Sequence, residues 1–159
     1  MGIVLTRLDE RLIHGQVVLG WGSQLRPDRY LVVDDDLAAS DWEQELYRLG
    51  AGDTDVVFST VAEARERLVE WRESPLRSVL LARDVATLRR MAGGGLLRGQ
   101  PVNLGGLHHG SGRRQVLDYL HLSDDDVAGL AALESEGAQI WAQDLPDAPK
   151  VPLRSLVGG

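Results

Sequence analysis

Short apolar runs of strand length alternate along this chain with longer segments of helical period. Ile3–Leu5, Tyr30–Val33, Asp55–Phe58, Ser78–Ala82 and Pro101–Leu104 have the length and apolar content of strands. Between them the spacing predicts helices over Gly15–Leu25, over Ser40–Leu49 with Ser40 as N-cap, over Thr60–Trp71 with Glu63 behind a Ser59-Thr60 start, and over Asp84–Met91. Each crossover is long enough for a parallel connection. The expected fold class is therefore α/β, a doubly wound, mostly parallel open sheet with helices on both faces. Gly93-Gly94-Gly95 reads as a helix end and loop. After Leu104 the pattern changes to a Gly- and His-rich loop over 105–112, a strand over Arg114–Leu120, a capped helix over Ser123–Glu136 and an apolar strand over Ala138–Ala142. The tail over Leu145–Pro152 and the segment Val151–Val157 are expected to dock on the sheet edge. No repeat or linker divides the chain, which predicts one unit over 1–159.

Composition narrows the function classes. The chain has 159 residues, 43% of them hydrophobic, and no apolar run long enough to cross a bilayer. Its start lacks a basic head followed by a continuous apolar core, so no signal peptide is expected and the predicted location is the cytoplasm. With no cysteine, disulfides, thiolate metal sites and cysteine nucleophiles are excluded. A net charge of -7 opposes a nucleic-acid-binding surface, which needs a basic field. Lys150 is the single lysine; the preference for arginine is compositional and carries no functional weight.

The segment Thr6 to Val17 follows the first strand and enters the first helix, where open parallel sheets place their ligands. If the chain stays extended, Arg7, Asp9 and Arg11 share one face, and two guanidiniums and a carboxylate flank His14. A neutral imidazole is a competent nucleophile near pH 7, and a phosphoryl group attached to it needs counter-charge. Arg7 and Arg11 offer that charge in forked geometry. The backbone N–H groups of Gly15, Gln16 and Val17 add a helix start, and Gly15 allows close approach. From these residues alone a surface ion-pair network is the commoner reading of such a pattern.

The string Arg7-Leu8-Asp9-Glu10-Arg11-Leu12-Ile13-His14-Gly15-Gln16-Val17 resembles the signature RxDxRLIHGQV of IIB components from the mannose/fructose/sorbose family of the phosphoenolpyruvate-dependent sugar phosphotransferase system. The similarity continues through Tyr30–Asp36, the segment Phe58 to Ala64, the string Val102 to His108 and the helix over Leu122–Leu133. The resemblance implies that His14 is phosphorylated on a ring nitrogen, Nδ1, by a IIA-type phosphohistidine donor. It further implies that the phosphoryl group passes to a sugar hydroxyl during uptake through the membrane components IIC and IID, with the chain peripherally associated with that permease. Arg11 and Arg7 would bind the phosphoryl oxygens, while Asp9 would orient an arginine or offset charge in the empty site. No cofactor and no metal are called for.

The remaining motifs of the chain admit plainer roles. Gly105-Gly106 and the loop after them offer a backbone nest for phosphate or a flexible loop. His108 is assigned a supporting or partner-contacting role. Leu12, Ile13 and Leu107 are expected to form an apolar rim on which donor and permease dock in turn. His109 beside His108 does not make a metal pair. Ser59 and Ser111 lack a nucleophile-elbow context. Asp34-Asp35-Asp36 reads as a solvated turn rather than a cation site, and Trp21, Trp42, Trp71 and Trp141 as packing residues. Two rivals stay open: a phosphorylation-dependent regulatory module acting on a non-transport partner, and a phosphate-binding domain without covalent chemistry. A homo-oligomer is compatible with either.

Overall fold

A computed structural model describes residues 2–157. The strands are β1 (Ile3–Leu8), β2 (Arg29–Val33), β3 (Asp55–Ser59), β4 (Ser78–Ala82), β5 (Pro101–Leu104), β6 (Arg113–Leu117), β7 (Leu120–Ser123), β8 (Gln139–Ala142) and β9 (Val151–Pro152). Seven of them form one sheet in the order β3-β2-β4-β1-β5-β8-β9. Every neighbouring pair runs parallel except β8 and β9, which pair antiparallel. This is the doubly wound α/β sheet that the alternation of elements predicts, closed at one edge by the tail.

Side-chain alternation along the central strands explains why both faces are covered. Leu31, Val33, Leu80 and Ala82 point to one face, where they meet α4 (Val61–Glu73), α5 (Val85–Ala92) and α6 (Asp124–Ser135). Tyr30, Val32, Val79 and Leu81 point to the other. There they pack with α1, α2 (Asp35–Ala38) and α3 (Asp41–Ala51). Helix α1 begins as a π-helix over Gln16–Trp21 and continues as an α-helix over Gly22–Leu25. A short α7 (Leu153–Val157) follows β9.

Local details depart from the sequence reading in three places. The single strand expected over Arg114–Leu120 is a hairpin, because Asp118 and Tyr119 make a turn and β6 and β7 pair antiparallel as a separate two-stranded sheet. The acidic run 34–36 is not a solvated turn but a helix start: Asp34 Oδ1 accepts the Leu37 N–H at 2.9 Å, and its other oxygen lies 2.7 Å from Arg83 Nε. Ser40 precedes α3 as expected but makes no side-chain cap. By contrast Thr60 and Ser123 each close a full capping box, with Glu63 and Asp126 respectively.

The Thr60 box initiates α4, which carries Trp71 into the core. Thr60→Ala is expected to cost about 1 kcal/mol and to lower the calorimetric melting temperature by about 2–4 °C, with no effect on the chemistry at His14.

Candidate active site

Strands β1 and β5 are neighbours whose connections leave toward opposite faces, so a crevice opens at their carboxyl ends. Four backbone bonds shape it. Asp9 N–H donates to Ala82 O at 3.0 Å, Gly105 N–H to Leu8 O at 2.7 Å, Glu10 N–H to Gly106 O at 2.9 Å, and Leu12 N–H to Asp9 O at 3.0 Å. The last of these bends the chain away from the sheet. Leu12 takes the left-handed conformation, with φ of 55°, an uncommon state for a side chain of its size. Its side chain is wholly buried, so burial holds the turn that delivers His14.

Beneath the turn lies a closed ionic cluster. Arg7 and Asp9 are both fully buried, and their side chains meet at 3.1 Å. One terminal nitrogen of Arg7 donates to Asn103 Oδ1 and, at 2.9 Å, to the Gln143 carbonyl; the other reaches the Asp144 carbonyl at 3.1 Å. Trp21 covers the guanidinium at 5.3 Å and donates its indole N–H to the same Asp144 carbonyl at 3.0 Å. Asp9 in turn accepts from Arg11 Nε at 3.1 Å, from an Arg11 terminal nitrogen at 3.1 Å, from the Arg11 N–H and from the Gly106 N–H at 3.2 Å. Burial pushes the Asp9 carboxyl up, but the Arg11 hydrogen bond, the Arg7 charge and the Gly106 N–H outweigh it and hold the pKa below its ordinary value. For Arg7, burial prevails over Asp9 and lowers the guanidinium from its usual range.

His14 sits on top of this cluster at the surface, its side chain 17% exposed. Its Nδ1 lies 3.0 Å from the Leu12 carbonyl, which only accepts, so Nδ1 carries the proton in this state. Nε2 is shut off from solvent, has no hydrogen-bond partner and faces Asp9 Oδ2 at 3.7 Å. Arg11 flanks the ring with its side chain 31% exposed and donates to Gln16 Oε1 at 2.8 Å. Gly15 is exposed and would carry a Cβ into open space, leaving a clear approach beside the ring.

Several expected placements are corrected. Arg7, Asp9 and Arg11 do not share one extended face, because β1 ends at Leu8 and the chain turns at once. Arg7 therefore lies inside the protein with both terminal nitrogens bonded and Nε buried without a partner, and only Arg11 reaches the surface beside His14. Leu12, Ile13 and Leu107 form no exposed rim: they are 0%, 6% and 1% exposed, because the turn folds them into the core. Val17 is buried and its N–H is taken by the His14 carbonyl at 3.0 Å, so it does not face a ligand. Gly105 and Gly106 do not make an open nest either, since their N–H groups bond Leu8 O and Asp9. Their role is steric, as a Cβ on Gly105 would collide with the Arg7 guanidinium and one on Gly106 would come within 2.8 Å of Arg11. His108 stands on the neighbouring loop, its N–H bonded to Glu10 and its ring largely exposed. Sequence reasoning missed Asn103, Gln143, Asp144 and the Gln16 side chain; their contributions are long-range or carried by main-chain carbonyls, and only the placement of Asn103 at a strand end hinted at one of them.

The family model for the sorbose subfamily IIB component of the PTS system matches residues 3–159. The chain belongs to that family. This IIB component is 31% identical over 147 residues to the N-acetylgalactosamine-specific phosphotransferase enzyme IIB component 1 of Escherichia coli strain K12, covering 91% of each chain. The crystal structure of the N-acetylgalactosamine-specific IIB component 1 from Escherichia coli superposes with a TM-score of 0.85 at 30% identity, over 94% of this IIB component and 97% of that chain. The mannose-specific EIIAB component of Escherichia coli strain K12 is 28% identical over 160 residues, which span 99% of this IIB component and 49% of the larger protein. Among the described residues no helix of this IIB component is long and apolar enough to cross a membrane.

Two predictions follow from the cluster. Asp9→Asn strips the buried Arg7 of its counter-charge and is expected to cost about 3–5 kcal/mol in denaturant unfolding. Because the folded Asp9 pKa is depressed, its contribution is complete above the ordinary carboxylate range and is lost as pH falls through the folded value. Melting temperatures followed below about pH 4 should therefore fall more steeply in the wild type than in Asp9→Asn. The glycines separate two roles: Gly105→Ala, aimed at an immobile Arg7, should destabilise the fold, whereas Gly106→Ala should mainly displace the half-exposed Arg11 and leave stability close to wild type.

Proposed function

We propose that this chain is a phosphohistidine carrier in which His14 takes a phosphoryl group from a IIA-type phosphohistidine and gives it to a sugar held by the membrane components IIC and IID. The observation that carries the reading is a surface imidazole set between a half-exposed guanidinium and a fully buried carboxylate. Family membership supports the reaction class. The Escherichia coli EIIAB relative, about half of which this chain matches, supports a donor of IIA type.

The acceptor atom is Nδ1. Nε2 is closed off against Asp9, so a donor reaches the ring only from the other side. The ring first swings clear of the Leu12 carbonyl and changes tautomer through solvent, losing the Nδ1 proton to water and taking one from water at Nε2, which then turns that N–H toward Asp9. The Nδ1 lone pair then attacks phosphorus in line, the N–P bond of the donor breaks, and the donor imidazole keeps the electron pair. Asp9 holds the protonated Nε2 and so orients the ring, as carboxylates do for catalytic histidines. Arg11 swings from its shared bonds with Asp9 and Gln16 to the phosphoryl oxygens, where its charge is needed only while phosphate is present. In the second transfer a sugar hydroxyl attacks phosphorus, the Nδ1–P bond breaks and the hydroxyl proton is lost to solvent. Arg7 keeps Asp9 ionised and in place without touching the phosphate. Protein partners rather than a bound cofactor complete each step, and both meet the chain in the cytoplasm.

Incubation with phosphoenolpyruvate, the general phosphotransferase proteins and a cognate IIA is expected to place an acid-labile phosphate on His14, absent in His14→Ala. Arg11→Ala should slow the transfer by more than about tenfold while far-UV circular dichroism stays unchanged. An unlabelled wild type, or label persisting in His14→Ala, refutes the carrier reading.

A further inference from the structure

The face that brings a partner to His14 is not the buried trio Leu12, Ile13 and Leu107, so the apolar surface near the site lies elsewhere. On α3, Trp42, Leu46 and Leu49 recur at i, i+4 and i+7 and so form one stripe, opposite the face on which Tyr47 and Ala51 pack into the core. They are 68%, 58% and 79% exposed, in a chain whose other indoles, Trp21, Trp71 and Trp141, are buried or half-buried. The helix that carries the stripe passes beside the reactive loop: a Cβ on Gly50, next to Leu49, would be in van der Waals contact with Ile13, the residue before His14, at 3.7 Å from Cγ2. Along residues 41–55 the charge is one-sided. Asp41, Glu43, Glu45, Asp53 and Asp55 stand against a single guanidinium of that segment, Arg48, so it holds more than half of the net charge of -7.

An exposed Trp-Leu-Leu patch ringed by carboxylates suits a partner segment that is apolar at its centre and basic at its margins. Cytoplasmic loops of membrane proteins have that charge as a class, since lysine and arginine accumulate on that side of the bilayer. Resting on the carrier reading, we propose that the Trp42-Leu46-Leu49 stripe of α3 docks a basic cytoplasmic loop of the permease and so serves the second transfer, from His14 to sugar, and not the first.

The two transfers are measured separately with the full chain, a cognate IIA and inverted membrane vesicles carrying IIC and IID. Trp42→Ala combined with Leu46→Ser should leave labelling of His14 by the donor at the wild-type rate and lower vesicle-dependent sugar phosphorylation by about tenfold or more. Raising the salt concentration should weaken the wild-type vesicle step in the same direction. Because the chain has no cysteine, Leu46→Cys introduces one thiol whose maleimide labelling reports on the patch without any chemistry. Protection by vesicles with the permease, and not by vesicles lacking it, supports the proposal. Unchanged sugar phosphorylation in the double variant overturns it, as does an equal loss in the donor step, which would make the donor the occupant. Protection that grows with protein concentration in the absence of vesicles overturns it too, in favour of a second copy of this chain. If the wild type takes no label on His14, the carrier reading fails, while the thiol experiment still decides what covers the stripe.

Discussion

The buried pair Arg7–Asp9 is the constraint on which the rest of the site is built. Two opposite charges removed from water are costly unless each is fully bonded, and losing one partner of such a pair costs about 3–5 kcal/mol. Here the bonding comes from places far apart in the chain: Asn103 at the end of β5, the Gln143 and Asp144 carbonyls after β8, the indole of Trp21 on α1, and the N–H of Gly106. Satisfying Arg7 therefore draws the carboxyl ends of β1, β5 and β8 together with α1. That convergence forms the floor of the crevice that the opposite connections of β1 and β5 open.

Asp9 links this interior to the surface, because one carboxylate serves both a guanidinium that cannot move and one that can. Arg7 is locked by packing, whereas Arg11 is half-exposed and shares Asp9 with it. A site proposed to alternate between an empty and a phosphorylated imidazole needs positive charge that is available in one state and neutralised in the other. Arg11 has a resting place on Asp9 and Gln16, so its charge is not left unpaired between turnovers. On the carrier reading the fixed Arg7 keeps Asp9 ionised when Arg11 leaves, and the two arginines of one motif divide their duties according to burial.

Much of the fold was legible from the sequence because period and punctuation agree along most of the chain. The strand and helix alternation gave the sheet, and the Thr60 and Ser123 boxes marked two helix starts. That His14 and Arg11 would stand together after the first strand was legible from the motif. What failed was the local geometry. A period-two reading placed Arg7, Asp9 and Arg11 on one face, yet a strand-end turn at Leu12 overrides periodicity, and nothing in the residue types of Leu8 to Leu12 announces a left-handed leucine. The burial of Leu12, Ile13 and Leu107 has the same origin. A glycine pair that looked like a phosphate nest makes room for two guanidiniums, a role visible only once Arg7 is known to point inward. Asn103, Gln143 and Asp144 escaped because the contacts they make are defined by sheet order, which places β5 and β8 beside β1.

The cavities of the molecule sharpen the division of labour. One cavity of about 740 Å³ is lined by residues 115–119 with Asp144 and Ala148, and His14 is not among them. A small-molecule enzyme gathers its reactive group and its specificity in one enclosed pocket. Here the His14 ring is closed in on its Nε2 side and reached from the side of the exposed Gly15, which on the carrier reading suits two macromolecular faces applied in turn. On that reading the imidazole is chemically indifferent to direction, since forming and breaking the same N–P bond uses the same residues. Direction and selectivity then have to come from surfaces outside the reactive loop. The exposed apolar face of α3, on a helix that passes beside Ile13, is the surface proposed for that part.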